Sequence, residues 1–252
     1  MDFGTATRAR LAGIFGLATT AFLAIGIVIP ALAFRGRAGE PYSFLSHFIS
    51  ELGQLGVSRL APLFNATLVA GGIFLLPFSL LLGLSMRRNP WAKLGMAIGV
   101  AAAIFCSLVG IFPMNRFDTH ILVAMTFFRL GLAMTFLFTL AIFTQKPNDR
   151  ILPNWINWSG LLSAASFSAF LFVVPSFPAP SSGQPVFPLG RAPLPLAIAE
   201  WCIYVSTMIW IAAISVSLLR DRPSSGLERR SGFFDIDDEG AQQLEEDLQR
   251  DG

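Results

Sequence analysis

His47 and Glu51 stand one helical turn apart inside "PYSFLSHFISELGQLG", residues 41–56. A histidine beside a carboxylate can hold a proton or orient a ligand, because the carboxylate favours the charged imidazolium. The chain has only two histidines. The second, His120, closes "FPMNRFDTH", residues 112–120, which also offers Asn115, Arg116 and Asp118. Asn65 and Arg129 add polar side chains inside otherwise apolar runs. An arginine at mid-membrane costs about 2.5–3.5 kcal/mol on insertion scales, so Arg129 is expected to face the bundle, a water-filled cavity or a lipid phosphate.

His47, Glu51, Asn65, His120 and Arg129 are therefore the candidate binding residues of an outward-facing polar cavity. Asp118 and Glu200 are the candidate counter-charges. Plainer readings stand beside this one. The polar face around His47 can simply meet water, Arg129 can form a structural ion pair, and Asn65 can join helices by hydrogen bonding.

Other chemistry is poorly supplied. Two histidines cannot furnish a three-histidine zinc site, and no HExxH-type spacing is present. No metal or cofactor is called for. An enzyme using Glu51 with His47 or His120 as acid and base lacks an accompanying nucleophile motif, so the reading leans away from catalysis. Cys106 and Cys202 both sit in apolar runs and read as buried free thiols rather than a disulfide.

Composition says what must position these residues. The 252 residues are 54% hydrophobic and only 13% charged, with a mean hydropathy of +0.61. Soluble domains carry about 25% charged residues. So few charges cannot cover a water-facing surface, and the excess apolar area must meet lipid. A net charge of +2 gives no footprint for nucleic acid.

Six apolar stretches, at roughly 11–34, 60–86, 94–114, 121–144, 151–177 and 196–219, are long enough to cross about 30 Å of hydrocarbon. They run continuously rather than alternating, so the expected fold is all-α, a polytopic bundle of six transmembrane helices. Within 41–56, Ser43, His47, Ser50, Glu51 and Gln54 fall on one helical side, and Phe44, Leu45, Phe48, Ile49, Leu52 and Leu55 on the other. That pattern predicts a short amphipathic helix of about three turns in the first outer loop, too short to span.

Basic residues orient the bundle. Arg8, Arg10, Arg87, Arg88, Lys93, Lys146, Arg150, Arg220, Arg222, Arg229 and Arg230 outnumber Arg35, Arg37, Arg59, Arg116 and Arg191 on the other side. The positive-inside rule then places both termini in the cytoplasm of a plasma-membrane protein. Trp91 and Trp155 fall where indole rings anchor at that interface. A cleaved signal peptide ending near "ALA", residues 31–33, is the rival reading of the first span.

Residues 1–10 read as a cytoplasmic tail, 11–219 as the membrane domain, and 220–252 as a second cytoplasmic tail. That last stretch is basic first and acidic last, and is expected to be disordered. The segment between the fifth and sixth spans is proline-rich and cannot be a regular helix.

"YSFLSHFISELG" after the first span, "LAPLFNATLVAGGIF" opening the second and "VGIFPMNRFDTHILVAMTFF" across a short hairpin occur in order and at sensible spacing. Together they resemble the prokaryotic membrane family known as domain of unknown function 998, over about 11–219. The positions that match are Ser50, Glu51, Leu52, Gly53, Asn65, Phe112, Pro113 and His120. The resemblance implies a six-helix bundle with a helical first outer loop, and it implies no chemistry. The architecture is also similar to the DRAM-type group of eukaryotic six-helix proteins, linked to lipid handling, by analogy of fold alone.

The expected function is binding or handling of a lipid or small molecule at the polar cavity, with membrane lipids as partners. A proton-coupled transporter is the alternative, although no inverted repeat or matched pair of broken helices is present. A structural subunit is a further alternative. Gly71, Gly72, Gly95, Gly99 and Gly131 suit tight packing against a membrane-protein partner or within a homo-oligomer.

Overall fold

A computed structural model of the chain describes residues 3–174 and 193–220. Six helices form: α1 (Phe3–Ala33), α2 (Ala61–Ser85), α3 (Pro90–Ile111), α4 (Phe117–Phe143), α5 (Ile156–Val173) and α6 (Pro195–Arg220). Each is long and apolar enough to cross a membrane. Each also leaves large apolar side chains uncovered, among them Leu32, Ile73, Ile104, Leu122, Phe172 and Ile209. Water would penalise such surface on all six helices, whereas lipid does not. The chain is an integral, multi-pass membrane protein.

Every helix packs on its neighbours in the chain, and α6 packs back on α1. The six helices therefore close a ring in chain order. Its centre is filled by Phe78, Leu82, Phe138, Ile142, Trp210, Ile211 and Ile214, all at most 1% exposed. Close approach of α2 and α3 is helped by Gly72 of α2, where a Cβ would stand 2.8 Å from the Ser107 amide nitrogen of α3. Ser107 in turn donates to the Val69 carbonyl at 3.2 Å, so the two helices are joined by a polar bond as well as by shape.

At one end of the ring, Asn89 sets the start of α3. Its side-chain oxygen accepts from the amides of Trp91 and Ala92, and Pro90 occupies the first helical position. Its side-chain nitrogen donates to the Ala141 carbonyl and the Thr144 hydroxyl, both at 3.0 Å, which fixes α3 to the end of α4. That cap is why α3 begins before the apolar run does. Trp91 and Trp155 are exposed at this same end.

Two expectations are adjusted. Cys106 is buried, but Cys202 is exposed on the outer side of α6; both are free thiols. The first long connection holds a short helix, yet it is a five-residue 3-10 helix, Ile49–Gly53, rather than three α-helical turns. The proline-rich segment at 175–192 and the tail at 221–252 lie outside the described residues.

Candidate functional site

The connection from α1 to α2 lies at the end of the ring opposite Asn89. Its backbone is held by side chains from elsewhere, and this explains why it does not wind into a longer α-helix. The Phe48 amide donates to Glu51 Oε1 at 2.8 Å. The next amide, Ile49, donates to Glu200 Oε2 of α6 at 2.7 Å. At the far end of the short helix, Asn65 of α2 donates to the Gly53 carbonyl at 3.0 Å. Asn115, in the connection from α3 to α4, accepts from the Leu55 amide at 2.8 Å and donates to the Leu55 carbonyl at 2.9 Å. Backbone groups satisfied in this way have no need of further helical turns.

Two carboxylates from distant parts of the chain thus hold consecutive amides. Each uses one oxygen to do so and keeps a second. Tyr42 stands beside them. Burial raises its phenol pKa, and the charges of Glu200 and Glu51 raise it further, against the hydrogen bond from Trp201. That bond runs from Trp201 Nε1 to the Tyr42 hydroxyl at 3.1 Å, and the hydroxyl donates to the His47 carbonyl at 3.2 Å. Burial also raises the Glu51 carboxyl, opposed by its bond from Phe48 and by the nearby His47. A half-buried carboxyl of this kind holds its proton to higher pH than a free one.

His47 is oriented by its own segment. Nδ1 lies 3.2 Å from the Ser43 amide and 3.3 Å from the Ser43 carbonyl, so either tautomer of the ring finds a partner on that residue. Nε2, on the other side of the ring, faces Glu40 Oε1 at 3.8 Å. The ring's faces and edges meet Phe34 and Tyr42, with ring centroids 5.3 and 5.4 Å away. Glu40 is held below the usual carboxylate range, first by its own backbone amide and then by the Ala38 amide and His47.

Of the residues singled out from sequence, the structure brings His47, Glu51 and Glu200 together, with Asn65 buttressing the loop beneath them. His120 is at the same end but is otherwise engaged. It is 4% exposed, and Nδ1 donates to the Phe112 carbonyl at 2.8 Å, closing the end of α3. Asp118 is exposed in the first turn of α4. Arg129 does not face the bundle, one of the three settings expected for it. It is exposed on the outer side of α4, and among the described residues neither Asp118 nor Glu200 pairs with it. A helix has one buried side, and Val123, Ala124, Phe128, Gly131 and Met134 of α4 occupy it.

Glu40, Tyr42 and Trp201 are site residues that the sequence reading missed. Scarcity was the available signal for the tyrosine: the chain has only two, Tyr42 and Tyr204, and both pack within about one ring of Trp201. Among the described residues, no three His, Cys, Asp or Glu side chains converge as metal ligands.

The chain matches the model of the family described as protein of unknown function (DUF998) over residues 22–217, which covers the ring from α1 to α6, and it belongs to that family. No match was found among curated proteins or solved structures.

Proposed function

We propose that this DUF998 protein binds a lipid headgroup or a small polar molecule at the end of the ring formed by His47, Glu51 and Glu200. One observation carries the reading: two carboxylates from separate elements are anchored on adjacent amides by one oxygen each. The second oxygens, with His47 and the Tyr42 hydroxyl beside them, form a set rich in acceptors. Such a set suits a ligand that donates hydrogen bonds through hydroxyl or ammonium groups. Asn65 and His120 support the walls of this end rather than touching the ligand. By the distribution of arginine and lysine, the site faces outward from a plasma membrane and both termini are cytoplasmic.

Proton-coupled transport is the second reading, favoured by the upward shift of the Glu51 carboxyl beside another acid. Native mass spectrometry of the protein released from lipid tests the first. Wild type is compared with the double variant Glu51→Gln, Glu200→Gln, which keeps an acceptor for each amide. A bound lipid or metabolite present in wild type and lost in the variant is the expected result. Retention of the same adducts by both proteins overturns the reading.

A further inference from the structure

Arg129 stands twelve residues from the start of α4 and fourteen from its end. At 1.5 Å per residue, these are about 18 and 21 Å. The hydrocarbon half-thickness is about 15 Å, so the Arg129 backbone lies near the membrane centre. Arginines reach headgroups most readily from near helix ends, and this one is far from both. Its guanidinium is exposed on the lipid side of the ring, with no ion pair or hydrogen bond among the described residues.

Its neighbours on that side define a face. Leu122, Arg129, Phe136 and Phe143 are all exposed and recur at intervals of seven residues, the spacing of a helix seam. The intervening Thr126 and Ala133 are small and half-buried, which admits a second backbone.

We propose that this seam of α4 docks a transmembrane helix of a different protein, one that carries an aspartate or glutamate at mid-membrane. Charge complementarity selects the partner. A second copy of this chain sharing a symmetry axis along the membrane normal would place Arg129 against Arg129. It would also bring no acid to that depth, because the acidic residues on the six helices are Asp118 in the first turn of α4 and Glu200 in the second turn of α6. An acid on a foreign helix neutralises the guanidinium with planar, two-pronged hydrogen bonds. The small residues then set the approach and Leu122, Phe136 and Phe143 pack around the pair.

A photoreactive benzoylphenylalanine at position 136, activated in native membranes and followed by peptide mass spectrometry, tests this. The expected adduct is an apolar segment of another protein with an internal Asp or Glu. Its yield should drop roughly tenfold or more in Arg129→Leu, the change that a loss of about 1.4 kcal/mol produces. Exchanging the partner's acid for arginine together with Arg129→Glu should restore it. An adduct with this same chain, an adduct with lipid alone, or a foreign adduct whose yield ignores Arg129→Leu overturns the proposal. Arg129→Leu removes an exposed charge from lipid, so its thermal unfolding should match or exceed wild type and shows that the fold is intact.

Discussion

Replacing Glu200 by alanine tests how the two halves of the site are joined. Glu200 belongs to α6, yet its carboxylate holds the Ile49 amide at 2.7 Å, 151 residues away in sequence. Ile49 is 7% exposed, so water cannot readily take over the amide. A buried donor left without its partner costs about 1–3 kcal/mol. Local opening should therefore become about 5- to 150-fold easier in Glu200→Ala. Hydrogen exchange at the Ile49 amide, read by mass spectrometry with fragmentation, reports that opening directly. Glu200→Gln keeps an acceptor for this amide and should stay within about twofold of wild type. Amides deep in α2 and α3 should exchange as in wild type. An alanine variant within about twofold of wild type would refute the clamp, as would a glutamine variant as fast as the alanine.

Other outcomes follow from the same geometry. Burial raises the Glu51 carboxyl in the folded state, so between the ordinary value of 4.5 and its folded value the folded protein binds more protons than the unfolded one. Its contribution is fully present below 4.5 and is lost as pH rises through the folded value; Glu51→Gln should flatten that part of a stability–pH profile measured by thermal unfolding. Asn89→Ala removes the α3 cap and its two bonds to the end of α4, and should cost about 0.5–2 kcal/mol for the cap alone in chemical denaturation. Trp210→Ala empties the centre of the ring, where the indole is fully buried, and should cost about 3–5 kcal/mol in the same assay.

Much of the fold was legible because lipid imposes one strong rule: satisfy the backbone within each span. Six apolar runs became six helices, with α1 beginning at Phe3, within the expected tail, instead of at 11, and α3 beginning at Pro90 instead of 94. The second shift comes from Asn89, whose capping role depends on its position rather than on hydropathy. The site was legible only in pieces. His47, Glu51 and Glu200 drew notice as ionisable groups, but their meeting depends on α6 closing the ring against α1. Periodicity in 41–56 suggested three α-helical turns. Side chains from α6, α2 and the α3–α4 connection instead took the backbone partners those turns would have used. Arg129 illustrates the opposite case. Its cost in lipid was evident from sequence, but which side of α4 it occupied depended on Phe128, Gly131 and Met134 claiming the other.

The most direct test of ligand binding is an electron cryo-microscopy map of the wild-type protein in nanodiscs made from its native membrane. The account predicts non-protein density within about 3 Å of the second oxygens of Glu51 and Glu200. Continuous protein or bulk-solvent density there, at a resolution that shows both carboxylates, would contradict it.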